Sequence, residues 1–137
     1  LAWILGVQEV PLDQVSRYGI IKFKAGNTRE VADLVEKPQF NKAPSRFASF
    51  GRFIFNWEIL KILERQLERL SGDQEFYLTE AISRYAQQKP VLAVPVKGKW
   101  LTTGDPLNWL KATVEFALER EDLGKEFKIY LKDLIKD

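Results

Sequence analysis

Phe47-Ala48-Ser49-Phe50-Gly51-Arg52-Phe53-Ile54-Phe55 is the stretch that decides the fold. Its aromatic content and lack of helix formers fit a pleated, half-buried strand. Gly51 inside it marks a bulge or a close backbone approach. The pattern then changes period. Asn56 is placed to cap a helix, and Leu60, Leu63, Leu67 and Leu70 recur every three or four residues, as one apolar stripe facing a sheet. Ser71-Gly72-Asp73 stops that helix.

Upstream, the segments read as strands. Trp3 to Val7 is a short apolar run closed by Gln8-Glu9 and Pro11, followed by a polar stretch from Leu12 to Arg17. Gly19 to Phe23 is a second strand, Ala25-Gly26-Asn27 a turn, and Val31 to Val35 a third strand ended by Pro38. Proline also disfavours the helical region for its predecessor, so Lys37 is expected to stay extended.

Downstream, Thr79 caps a short helix carrying Ile82, Tyr85 and Ala86, and Val91 to Val96 is another strand. Asp105-Pro106 is the strongest helix start in the chain, an N-cap with proline at the first helical position. Leu107, Leu110, Val114, Ala117 and Leu118 continue its stripe. A last amphipathic helix runs from about Lys125 to Lys136, with Phe127, Tyr130, Leu131, Leu134 and Ile135 on its apolar side. Grouped strands followed by alternation predict an α/β fold, a mixed sheet covered by helices. No repeat or linker divides residues 1–137, so one packed unit is expected.

The 137 residues include no Met, Cys or His. Opening at Leu1 within an apolar run, the sequence reads as a piece of a longer chain. Disulfides, His or Cys zinc sites, thiol nucleophiles and Ser/His/Asp triads are all excluded within it. What remains is carboxylate, lysine, arginine and backbone-amide chemistry, or a hard metal held by oxygen, which suits phosphate transfer. A net charge of +2 with both signs interspersed gives no footprint for nucleic acid or an anionic membrane. No apolar run approaches the ~20 residues of a membrane helix. The absence of Cys fits a reducing cytoplasm.

Three clusters sit at strand ends or strand-to-helix turns, where ligands of open α/β sheets collect. They are Ser16-Arg17-Tyr18-Gly19, Glu36-Lys37-Pro38, and Trp100 to Pro106. Glu36 and Lys37 fit a solvated pair at a strand end. They would also suit a ligand with hydroxyls at one end and phosphate at the other, provided the strand ends there so that both reach it. Gly19 is a turn glycine or a gap that lets a ligand reach backbone N–H. Asp105 is a helix cap or a metal ligand. Trp57 and the phenylalanines at 47, 50, 53 and 55 read as core.

In order along the chain, these clusters resemble the C-terminal half of the bacterial UTP:glucose-1-phosphate uridylyltransferases, a family of sugar nucleotidyltransferases. The matching features are Gln8 to Pro11, Val15 to Ile20, Leu34 to Pro38, Ala43-Pro44-Ser45, Gly51-Arg52-Phe53, Glu75 to Ile82, and Gly104-Asp105 running into Leu110 to Leu118. The resemblance implies the C-terminal portion of a Rossmann-like nucleotidyltransferase domain in a cytoplasmic, homo-oligomeric enzyme. Its substrates would be UTP and glucose 1-phosphate and its cofactor Mg²⁺. Carried over by position, Gly19 offers its N–H to a glucose hydroxyl, Glu36 accepts from glucose hydroxyls, and Lys37 holds the sugar phosphate as the catalytic cation.

Thr102 stands where the family usually has an aspartate near the metal, leaving Asp105 as the candidate substitute. Gln74, Tyr77 and Glu80 replace the Gly, Gln and Asp of the family's Gly-Glu-Ile-Gln-Leu-Thr-Asp segment. A related thymidylyltransferase using another sugar 1-phosphate, and a non-catalytic paralogue or binding module, stay open as alternatives. The family's phosphate-cradling glycine loop lies in its N-terminal half, so these residues by themselves are expected to be inactive.

Overall fold

The computed structural model describes residues 1–72 and 74–136, so the expected stop at Asp73 lies outside the described residues. The chain divides into two compact units, Leu1–Lys97 and Gly98–Asp137. The first holds strands β1 (Trp3–Glu9), β2 (Gly19–Phe23), β3 (Val31–Glu36), β4 (Phe47–Ile54) and β5 (Val91–Pro95), with helices α1 (Glu58–Leu67) and α2 (Leu78–Ala86). A 3₁₀ helix, Leu12–Arg17, occupies the polar stretch before β2. The sheet is mixed, as expected, in the order β3-β2-β4-β1-β5. Among the described residues only β1 and β5 pair in parallel, and α1 and α2 lie between β4 and β5 in the chain.

The core forms where one face of this sheet meets the helices. Trp3, Leu5 and Val7 from β1, Ile21 from β2 and Leu34 from β3 pack with Ile59 of α1 and Ala81, Ile82, Tyr85 and Ala86 of α2. The Trp3 and Tyr85 rings stack with centroids 3.5 Å apart and planes within 1°. Beneath them runs a polar network. Trp3 Nε1 donates to Asn56 Oδ1 at 3.0 Å, Asn56 Nδ2 donates to Glu58 at 2.9 Å, Tyr85 OH donates to the same carboxylate at 3.2 Å, and Lys89 pairs with it. Lys89, then Asn56, hold the Glu58 carboxyl down to about 2 from its ordinary 4.5, and Glu58 in turn raises Lys89. Burial, and then Glu58, raise the Tyr85 phenol.

The bulge expected at Gly51 is present. Leu5 pairs with Phe53 and Val7 with Ser49, so Phe50, Gly51 and Arg52 on β4 stand opposite Gly6 alone. Gly51 has φ 78°, a region glycine enters without a Cβ penalty. Gly6 is required for the opposite reason, because a Cβ there would lie 2.9 Å from Arg52 Cβ.

Several expectations are corrected. The inward stripe of α1 is Ile59, Ile62, Leu63 and Gln66, while Leu60 and Leu67 are exposed. That is a rotation of one residue, about 100°, and Gln66 drives it. Its amide donates to Tyr77 O at 3.0 Å and Glu80 Oε2 at 2.9 Å, so a polar residue is buried along with Ile59. The helix ends at Leu67, before Leu70. Trp57 is exposed rather than core, with the Lys61 ammonium 4.4 Å from its ring centroid. Asn56 lies one residue before the cap position, yet its side chain accepts from Glu58 N–H at 3.1 Å. Thr79 falls inside the first turn of α2, whose cap position is Tyr77.

The second unit contains α3 (Pro106–Glu119) and α4 (Gly124–Leu134). Asp105 caps α3 as expected, accepting from Asn108 N–H at 2.9 Å ahead of Pro106. The helices are joined by a tight turn in which Arg120 pairs with Asp122 and Gly124 N–H donates to Arg120 O at 2.9 Å. Gly124 has to be glycine, since a Cβ would collide with the Leu118 carbonyl. The expected stripes are largely open. Leu107 and Leu110 of α3, and Tyr130 and Leu134 of α4 with Ile135 just beyond it, are exposed, and the buried positions are Ala112 and Gly124.

Candidate functional site

One row of register partners crosses the whole sheet. Glu36 of β3 pairs with Gly19 of β2, Gly19 with Ser49 of β4, Ser49 with Val7 of β1, and Val7 with Pro95 of β5. Directly opposed residues on paired strands project from the same face. Val7 belongs to the core, so Glu36, Gly19 and Ser49 face the helix-covered side. Because Gly19 has no side chain, the row carries a gap between a carboxylate and a hydroxyl.

That gap opens into a cavity of about 340 Å³, within the roughly 300–1,000 Å³ of small-molecule sites. Its sheet walls are Gly19, Glu36, Ser49, Gly51 and Phe53, joined by Arg17 and Tyr18 ahead of β2. The opposite wall is Phe76 to Thr79, with Ile82. A Cβ on Gly19 would lie 3.3 Å from Glu36 Oε2 and 3.5 Å from Thr79 Cγ2, so the glycine keeps the floor open. Gln66 fixes the opposite wall by tying Tyr77 O and Glu80 to α1. This wall contains the first turn of α2, whose unpaired N–H groups and helix dipole favour negative charge.

The structure therefore brings Gly19 and Glu36 together. Lys37 is not among the residues lining the cavity, and it is exposed. It is also not extended as expected. Its φ of 41° is the one positive value outside glycine among the described residues. The cause is local. Lys37 N–H donates to Tyr18 O at 3.0 Å, carrying the β2–β3 ladder one bond past the Gly19–Glu36 pair. Immediately afterwards the chain leaves the sheet through the buried Pro38. Strained backbone of this kind concentrates at ligand sites. β3 ends at Glu36, as the shared-ligand reading of Glu36 and Lys37 requires, but only Glu36 of the two lines the cavity.

Asp105 belongs to the second unit. Its two carboxylate oxygens accept from Asn108, Oδ1 from the backbone N–H and Oδ2 from Nδ2 at 2.6 Å. Among the described residues, no group of three His, Cys, Asp or Glu side chains could hold a metal ion. The donor set for the expected Mg²⁺ is thus not assembled by these residues, and Asp105 has the geometry of a helix cap.

Ser49 was not singled out from sequence as part of a site, and Phe76 and Tyr77 entered only through the family segment Glu75 to Ile82. A signal for Ser49 is visible in hindsight. Strand alternation puts Phe47, Ser49 and Gly51 on one face, so small residues beside a phenylalanine mark a hollow. What alternation cannot supply is the residue lying opposite on the next strand.

Comparison with known proteins agrees with this fold. The nucleotidyl transferase family profile matches residues 4–119. A UTP–glucose-1-phosphate uridylyltransferase of Staphylococcus epidermidis is 37% identical over 133 residues, covering 96% of this chain and 46% of the relative. The UTP-bound UDP-glucose pyrophosphorylase structure from Acinetobacter baumannii superposes with a TM-score of 0.81 at 30% identity, over 97% of this chain and 46% of that one. A UDP-glucose pyrophosphorylase structure complexed with UDP-glucose gives 0.74 at 30% identity, over 87% and 45%. The chain spans about half the length of the curated relatives it matches. With a family match across most of its length and the Gly19–Glu36 cavity inside the matched region, the chain belongs to the nucleotidyl transferase family.

Proposed function

We propose that this chain forms the sugar-phosphate half of a UTP:glucose-1-phosphate uridylyltransferase. The observation that carries the reading is the Gly19–Glu36 register pair on the floor of a cavity closed by the start of α2. Glu36 accepts hydrogen bonds from sugar hydroxyls, and the gap at Gly19 lets the ring approach the backbone. Lys37, the strained residue just past the end of β3, supplies the ammonium for the sugar phosphate. The first turn of α2 adds favourable potential for the same anion.

The chemistry asks little of the protein beyond placement. A phosphate oxygen of glucose 1-phosphate attacks the α-phosphorus of UTP, forming a new P–O bond. The bond from the α-phosphorus to the bridging oxygen breaks, and pyrophosphate leaves. A phosphate monoester with its second pKa near ~6 is largely dianionic at neutral pH, so no general base is needed. A chain without His can serve such a reaction by orienting two anions and neutralising their charge. No step here depends on Mg²⁺ held by these residues. The parts that cradle the nucleotide are proposed to lie outside them, so the 137-residue chain alone releases no pyrophosphate. Two further features follow the family reading, a cytoplasmic location beside the nucleoside triphosphate pool and a homo-oligomeric enzyme.

The test is an NMR titration of glucose 1-phosphate into the chain at millimolar concentration. Shifts confined to the amides of Tyr18, Gly19, Glu36, Lys37 and Thr79 are expected. No shifts, or shifts scattered away from these residues, would overturn the assignment.

A further inference from the structure

We infer that Ser49 selects the sugar by holding one ring hydroxyl on the side of Gly19 opposite Glu36. This rests on the sugar-phosphate reading of the same cavity and goes beyond it, by assigning a specificity-determining residue and the feature of the substrate it reads.

Ser49 lines the cavity, and it is the strand partner of Gly19 in the row that begins at Glu36. Its hydroxyl oxygen is buried and has no hydrogen-bond partner. Buried polar atoms are almost always satisfied, so one left without a partner beside a cavity calls for an explanation. A bound hydroxyl supplies it. A serine oxygen moves by rotation about a single torsion, so a change of rotamer turns it into the cavity. It can both donate to and accept from a sugar hydroxyl, whereas the Glu36 carboxylate only accepts.

The spacing fits a pyranose. Glu36 and Ser49 are two strand spacings apart, roughly 9.5 Å between backbones, with no side chain between them. A sugar ring lying over Gly19 then reaches the carboxylate with one edge and the hydroxyl with the other. The substrate class is a hexose 1-phosphate with hydroxyls on both of those edges. A sugar lacking the hydroxyl on the Ser49 side leaves the serine unpaired, and the site discriminates against it.

A structural role and a ligand role for this oxygen predict opposite signs. Deleting a hydroxyl without a partner removes an unmet polar group, so Ser49→Ala raises the Tm of the free chain while weakening the sugar. The experiment is titration of glucose 1-phosphate and its monodeoxy analogues into the parent chain, Ser49→Ala, Ser49→Thr and Glu36→Gln, with Tm measured for each. Ser49→Ala is expected to weaken glucose 1-phosphate about fivefold, the value of one neutral hydrogen bond. It should weaken every monodeoxy analogue equally except one, the analogue that lacks the bonded hydroxyl. Ser49→Thr, which keeps the hydroxyl, retains the parent's order of preference. The inference is overturned if Ser49→Ala binds all analogues with the parent's ratios while Glu36→Gln still loses binding, or if Ser49→Ala has a lowered Tm. No binding of glucose 1-phosphate to the parent would instead remove the sugar-phosphate reading, and the role of Ser49 with it.

Discussion

Gly19 and Glu36 face each other across β2 and β3, and a Cβ placed on Gly19 would stop 3.3 Å from Glu36 Oε2. The space a side chain would take is therefore the space through which the carboxylate meets a ligand. Gly19→Ala should weaken glucose 1-phosphate binding by at least about tenfold, since the new methyl occupies the approach to both groups. Stability should change little. The alanine gains about 0.4–1 kcal/mol from a less flexible unfolded chain, which offsets its tight contacts. Binding and urea unfolding of the same variant check the two halves separately, and unchanged binding would remove Gly19 from the site.

Glu58 ties α1 to Lys89 and Tyr85, and its pH dependence has a defined sign. Its carboxyl is held at about 2 in the folded chain against an ordinary 4.5. As pH falls below 4.5 the unfolded chain takes up the proton first, so folded stability is lost progressively down to about 2. Glu58→Gln should be less stable than the parent at neutral pH. The gap between the two should stay constant above pH 4.5 and narrow below it. Urea midpoints across that range measure it, and a gap that does not depend on pH would contradict the network.

Asp105 separates a cap from a metal ligand. Asparagine caps helices about as well as aspartate, so Asp105→Asn should keep the parent's stability, while Asp105→Ala loses about 1 kcal/mol. Mg²⁺ should leave the Tm of the parent chain unchanged. A Mg²⁺-dependent rise in the parent that disappears in Asp105→Asn would establish the metal role instead.

Much of this was legible in the residues. Phe47 to Ile54 became a strand with its bulge at Gly51, and Asp105-Pro106 capped a helix, because both signals are local. The misreadings share a different origin. Leu60 and Leu67 mark a plausible stripe, but two hydrogen bonds from Gln66 to the start of α2 turn the helix by one residue. Pro38 argues for an extended Lys37, but a bond to Tyr18 O from across the ladder holds it at positive φ. The site followed the same rule. Glu36 and Gly19 could be named from their motifs, whereas Ser49 gains meaning only from the register of β4 against β2.

The most direct measurement is the dissociation constant of glucose 1-phosphate for the parent chain and for Glu36→Gln, which keeps the size of the side chain and removes its charge. Hydrogen bonds to a charged acceptor contribute roughly 1.5–3 kcal/mol, so the constant should rise about tenfold or more while the Tm stays near that of the parent. Equal affinity in the two chains would contradict the placement of the sugar over Gly19 and Glu36.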